Sequence, residues 1–238
     1  MKTKLNDSKS FDIKILFEII IVLTFMLGVK WVSDYFGING AGGLGIWSGI
    51  LIASYFMKQR KATWVGLGLV LPRGKREWVI NIGLALLTVV IVFLAMGLIL
   101  DPVLSHFGLE KPDDVADRFQ FFLGKPFLFI SYLITVVWIG AALGEELLMR
   151  GFLLNRLSDF FGKSKSAWFA SLMIHSIIFG MLHIYQGLAG IITATVIAII
   201  FGVVYLIAKS RLFPVILAHL LINTVSLTAY YLTGGVVN

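Results

Sequence analysis

Seven stretches of this chain are each long and apolar enough to cross a bilayer: about 13–33, 40–57, 79–100, 127–149, 167–185, 188–208 and 212–232. A helical span needs about 20 mostly apolar residues. Soluble domains average about 45–50% apolar and about 25% charged residues. Here 58% are hydrophobic and 14% charged, with a mean hydropathy of +0.92. The expected fold is all-α, a polytopic transmembrane bundle. For description, residues 1–126 hold the N-terminal spans and an outer loop, and 127–238 the polar-rich core of the same bundle. The first block carries Glu18 and no small-residue cleavage site follows it, so it reads as a retained span.

The basic residues orient the bundle. With the N-terminus inside, Lys2, Lys4, Lys9, Lys14, Lys58, Arg60, Lys61, Arg73, Lys75, Arg76, Arg150, Arg156, Lys163, Lys165, Lys209 and Arg211 fall on the cytoplasmic side. That is 16 of the 20 Lys and Arg residues; Lys30, Lys111, Arg118 and Lys125 fall outside. The bias predicts a cytoplasmic N-terminus and an outer C-terminus. It also explains the net charge of +7 by orientation against anionic lipid, leaving no reason to invoke nucleic acid. Residues 150–165 mix charged side chains with Phe152, Leu153, Leu157, Phe160 and Phe161 and predict an interfacial helix after the fourth span. Residues 101–126 form the long outer loop, with Asp113, Asp114 and Asp117. Trp64 to Leu71 is a short apolar piece in a basic loop, suited to the membrane surface.

Several chemistries are excluded. The absence of cysteine removes disulfides, thiolate metal sites and a cysteine nucleophile. There is no H-E-x-x-H, no G-x-S-G and no pair of intramembrane aspartates. Gly40-Ala41-Gly42-Gly43-Leu44-Gly45 matches G-x-G-x-x-G, but it sits between two spans with no strand before it, so a hairpin accounts for it better than a nucleotide site.

What remains is a small polar set in apolar surroundings. Ionisable groups inside spans cost about 2.5–3.5 kcal/mol each on insertion scales and mark functional sites. Gly144-Glu145-Glu146-Leu147-Leu148-Met149-Arg150 closes span four, Phe179 and His183 lie in span five, and His219 and Asn223 in span seven. Each pair is spaced i, i+4 and shares a helix face. Glu146 and Arg150 can form a charge-assisted pair. Glu145 points elsewhere and is free to act as a general base toward water. His183 can share that activation or bind a metal, and His219 with Asn223 can donate to an oxyanion. Taken singly, each feature has a plainer account: a Glu–Arg pair can be an interfacial ion pair, a lone His or Asn a helix–helix hydrogen bond. Together they are too costly for packing alone.

In these residues the chain resembles the CAAX protease and bacteriocin-processing family, the Abi-type intramembrane proteases. The pattern E-E-x-x-x-R, F-x-x-x-H, H-x-x-x-N is met by Glu145-Glu146…Arg150, Phe179…His183 and His219…Asn223, with Gly151 after the arginine. Met149 stands where Phe or Tyr is common. The resemblance spans roughly residues 127–232. It implies an integral-membrane endopeptidase acting on membrane-associated proteins or peptides: prenylated CAAX tails, or bacteriocin and pheromone precursors. Glu145 and His183 would activate water, His219 and Asn223 would hold the oxyanion, and Glu146 and Arg150 would support them. Zinc or another divalent metal on Glu145, His183 and His219 is one option, and a metal-free Glu/His mechanism is equally open.

Depth counting raises a conflict. Glu145 lies near the cytoplasmic end of span four as drawn, whereas His183 lies about 24 Å along span five. Either span four continues past Arg150 or span five is short. His175, eight residues before His183, is the rival partner. Two other functions compete: a non-catalytic immunity or sensor-partner protein, and a small transporter relaying protons through Glu and His. The transporter would need a continuous polar path, which spans two and three do not offer.

Overall fold

The structure is a computed structural model that describes residues 12–38, 40–110, 112 and 117–235. Lys2, Lys4, Lys9, Lys111, Asp113 and Asp114, used above for orientation and for the outer loop, lie outside the described residues. The described residues are all helical or irregular. Seven helices follow in order: α1 (Ile13–Tyr35), α2 (Ala41–Gln59), α3 (Gly74–His106), α4 (Pro126–Phe161), α5 (Lys165–Met181), α6 (Gly187–Ile207) and α7 (Phe213–Leu232). Five helical stretches are long and apolar enough to span a membrane: α1, α3, α4, Ile184–Ile207 and α7. The other two, α2 and α5, have 19 and 17 residues, so the count of seven spans is approximate.

Helix α4 organises the bundle. It packs against α2, α5 and α7, while α1 pairs with α2, α5 with α6, and α3 with α7. Small residues set these approaches. A Cβ on Gly144 would lie 2.7 Å from Ile46 Cγ2, and one on Gly180 would collide with Thr195 and the Ile191 carbonyl. With no hydrophobic force between helices in lipid, close backbone approach of this kind is what holds α2 to α4 and α5 to α6. The outer faces stay apolar and exposed, as Phe17, Phe25 and Trp31 on α1 and Leu86, Leu87 and Val90 on α3 show. These faces are what lipid would cover.

The interfacial helix expected at 150–165 does not form. Residues 150–161 are the last turns of α4, which runs unbroken for 36 residues. Every residue from Leu147 to Leu154 is buried. A helix buried all round belongs in a core, not at a surface. At about 1.5 Å per residue α4 is about 54 Å long, so it tilts or projects beyond a hydrocarbon layer of about 30 Å. Arg156 is buried too and pairs with Asp159 at 2.9 Å.

The basic end is tied by polar contacts. Arg60 after α2 pairs with Glu18 at 2.7 Å and with Asp12 at 3.0 Å, and its guanidinium holds the Asp12 carboxyl below the usual carboxylate range. The piece Trp64–Leu71 caps this end of the bundle. Trp64 Nε1 donates to Ser54 Oγ at 3.0 Å, and the Leu67 and Gly68 carbonyls accept from the Tyr205 hydroxyl and the Leu212 amide. At the other end Phe119, Phe121, Phe122, Phe129, Tyr132 and Tyr230 form an aromatic cluster that docks the loop before α4.

Candidate active site

Where the functional residues lie, α4 is wound with wide i→i+5 turns, over Leu133–Glu145 and again over Leu147–Leu154. Such turns are rare and concentrate at functional sites. The two glutamates stand at the junction and point apart. Glu146 is fully buried, Glu145 half-buried.

Glu146 is the centre of a dry polar cluster. Its Oε1 accepts from Arg150 Nη1 at 2.9 Å and from His219 Nδ1 at 2.9 Å. The Arg150 guanidinium lies between two rings, 5.0 Å from Phe179 of α5 and 5.2 Å from Phe201 of α6. Its Nη2 approaches the Ala198 carbonyl at 3.4 Å. Cation–π contacts strengthen when water is excluded, and both charges of this pair are 0% exposed. The Phe201 ring also meets the His219 ring edge-on at 5.6 Å. His175 is fully buried one turn before Phe179 on α5, within electrostatic reach of Arg150. Three atoms of this cluster, Glu146 Oε2, Arg150 Nε and His175 Nε2, are buried without a hydrogen-bond partner in the protein. Buried polar groups are almost always paired, so this cluster keeps unspent hydrogen-bonding capacity.

A second, wetter group surrounds Glu145. Helix α5 ends at Met181, so His183 stands just past it, in the turn before Ile184–Gln186. Its Nδ1 is 2.9 Å from the Phe179 carbonyl, and its ring packs on Phe179 at 4.7 Å and on Tyr185 at 5.9 Å. Glu145 lies within electrostatic reach of Tyr185 and of Arg150. Tyr185 also carries Arg118 over its ring at 4.6 Å and Lys30 at 5.9 Å, and accepts from Gln186 Nε2 at 2.9 Å. Phe179 touches both groups, with Arg150 5.0 Å and His183 4.7 Å from its ring.

The depth conflict disappears. Because α4 continues to Phe161, Glu145 lies about 24 Å from the turn that joins α4 to α5, and His183 about 27 Å from the same turn. His175 belongs instead beside Arg150. Of the residues singled out from sequence, Glu146, Arg150 and His219 are in direct contact. His183 packs on Phe179 rather than on these three, and Asn223 is half-buried one turn beyond His219 on α7. Tyr185 and Phe201 were not legible as site residues. No motif contains them, and each reaches the site only through packing of a turn or a neighbouring helix.

A metal fits poorly. The Nδ1 atoms of His183 and His219 are both engaged, which leaves Nε2 as the ring nitrogen available to a ligand. Among the described residues, however, no three His, Asp or Glu side chains converge in a metal-holding group.

Residues 127–225 match the family model described as Rce1-like, type II CAAX prenyl endopeptidase Rce1-like. The match covers less than half of the chain and is a likeness to that family over the C-terminal segment. The match covers Glu145 through Asn223, and so both polar groups, and leaves α1–α3 outside. No curated protein and no solved structure matches the chain. That likeness and the five apolar helices together indicate a multi-pass membrane protein.

Proposed function

We propose that the chain is an intramembrane endopeptidase that hydrolyses a peptide bond in a membrane-associated protein or peptide, through Glu145, His183, His219 and Asn223. One observation carries this reading: Glu145 and His183 reach one depth within an apolar bundle, against a buried Glu146–Arg150–His219 cluster that fixes the helix presenting Glu145. Hydrolysis needs a water held against a carbonyl. A half-buried carboxylate and an imidazole at the same depth can together hold and polarise that water. Asn223, on the same wall as His219, is suited to donate to the carbonyl oxygen as charge develops. Glu146 and Arg150 are positioning residues.

Two substrate classes follow from the family and the charge pattern. If the basic end is cytoplasmic, the His183–Tyr185 end faces outward, which favours a secreted precursor such as a bacteriocin or pheromone over a cytoplasmic prenylated tail. The chain has no cysteine, so single Cys substitutions at Tyr185 and Lys61 report sidedness cleanly. Labelling of Tyr185→Cys from outside intact cells supports the secreted class, and labelling from the cytoplasmic side only supports the prenylated class. The activity is tested by comparing membrane peptides from cells with the native chain and with Glu145→Ala. The expected result is a cleavage product lost in the variant, and identical peptide sets would defeat the proposal.

A further inference from the structure

The C-terminal end of α2, away from the candidate active site, carries cations that no contact in the bundle accounts for. A groove of about 390 Å³ lies there, lined in part by Ser54, Met57, Lys58, Lys61, Thr63 and Trp64. Clefts of this size hold small ligands. Arg60 beside it is already compensated, because Glu18 and Asp12 both pair with it. Lys58 and Lys61 are exposed, and among the described residues no carboxylate pairs with either. The groove therefore offers two uncompensated cations side by side.

The backbone and the apolar neighbours point to one class of ligand. Lys61 closes α2 at a φ of 55°. Its amide donates to the Lys58 carbonyl at 3.1 Å, and the Ala62 amide to the Met57 carbonyl at 2.9 Å. This is the helix-ending position that glycine usually takes, so the lysine side chain is kept there against backbone preference. The helix dipole favours a cation at this end, but it does not call for a groove. Thr63 Oγ1 accepts from the Gly66 amide and keeps a hydroxyl hydrogen to give. Trp64 donates to Ser54 of α2 and leans on α4, where a Cβ on Gly151 would lie 3.3 Å from its ring. Tryptophan is a residue of the membrane–water boundary. One and two turns back along α2, Tyr55 and Leu51 are 59% and 70% exposed. With Lys58 they share one helix face, an apolar stripe that ends in a cation.

We propose that this groove binds an anionic phospholipid. The headgroup phosphate pairs with Lys58 and Lys61 and accepts from Thr63, and an acyl chain lies along Tyr55 and Leu51. Basic pockets at the ends of membrane helices recognise anionic headgroups through this chemistry. A soluble phosphate would use the cations and leave the apolar stripe idle, so the lipid is the source that both halves of the site fit. Because Trp64 touches α2 and α4, an occupied groove braces the two helices and raises the stability of the bundle. The proposal does not depend on the protease reading.

The test uses the full chain in a neutral detergent, with melting temperature and native mass spectrometry as readouts. The probes are dioleoylphosphatidylglycerol, dioleoylphosphatidylcholine and glycerol 3-phosphate. The anionic lipid is expected to raise the melting temperature and to stay bound as a single molecule, and the other two to do neither. An equal effect of phosphatidylcholine, an equal effect of glycerol 3-phosphate, or no effect of phosphatidylglycerol overturns the proposal. Lys58→Gln/Lys61→Gly should fold as well as the native chain, since glycine takes the Lys61 backbone conformation freely. It should bind phosphatidylglycerol about thirtyfold more weakly, the effect of two lysines at an anionic surface. Lys58→Gln alone, which leaves the backbone unchanged, should lose about fivefold. The matched control is Lys75→Gln/Lys209→Gly, which removes the same charge and makes the same backbone change, Lys209 having a φ of 56°. It should bind the lipid as the native chain does. Equal loss in the two double variants would mean that only the total charge of the basic end matters, against the proposal.

Discussion

Glu145 and Glu146 are neighbours in the chain and occupy different media. Glu146 is fully buried, bonded to Arg150 and His219 and walled by aromatic rings. Glu145 is half-buried and looks toward Tyr185 and the His183 turn. The difference teaches how an apolar bundle supports both structure and chemistry with few charges. One carboxylate is spent inside a closed network, where a charge is tolerable only because it is paired. The adjacent one is left half-buried, at the depth where a water and a peptide bond could meet.

The largest effect should follow from opening the closed network. Arg150→Ala leaves Glu146 charged and alone at 0% exposure, a change that costs about 3–5 kcal/mol in buried pairs. Thermal denaturation in detergent should show a sharp loss of folded protein. Native-like stability would mean that the buried centre does not hold α4 in place. Arg150→Lys should fall between, because it keeps the charge but loses the flat stack between Phe179 and Phe201.

Glu145→Gln should behave in the opposite way. Stability should stay within about 0.5 kcal/mol, as for substitutions away from buried networks, while cleavage falls by about 10²–10⁴. Equal stability losses in the two glutamate variants would erase the contrast between them.

Tyr185→Ala should sharpen the comparison on the Glu145 side only. It removes the ring against which His183 packs and over which Arg118 lies. Cleavage should drop by less than in Glu145→Gln, with little change in melting temperature. A fall in melting temperature as large as that of Arg150→Ala would show that the two groups are not distinct.

The smallest effect belongs to the remote Arg60 clamp. The Asp12 carboxyl is held below its usual range by the Arg60 guanidinium, so its contribution is complete above about pH 4, near the ordinary aspartate value, and is lost as pH falls through the lowered one. Asp12→Asn should therefore narrow the gap in stability between pH 6 and acid slightly, read as a shift in melting temperature. No change in cleavage at neutral pH is expected.

Much of the site could be read from the chain, and the reasons for the gaps are specific. Glu146 and Arg150 are four apart on one helix, so their contact follows from local geometry. Their burial does not: it comes from α4 running on to Phe161, where the mixture of Arg156, Asp159 and aromatics imitates an interfacial helix. Arg156 and Asp159 satisfy each other within α4, which removes the polarity that would have kept that stretch at the surface. His183 was identified through Phe179, yet its position past the end of α5 depends on where the helix stops. Tyr185 and Phe201 carry no sequence mark, because an aromatic residue in a membrane protein is ordinary until something packs on it.

The sequence by itself determined that the chain is an apolar helical bundle, and which few ionisable residues are too costly to be there without a role. Hydropathy and i, i+4 spacing are local properties, so a single strand of text contains them. The tertiary structure decided which partners those residues take across helices: His219 with Glu146, and Arg150 with the rings of Phe179 and Phe201. These contacts join helices far apart in the chain, by 73 residues for His219 and Glu146. They depend on the tilt and register of packed helices, where a displacement of one turn would change every hydrogen bond.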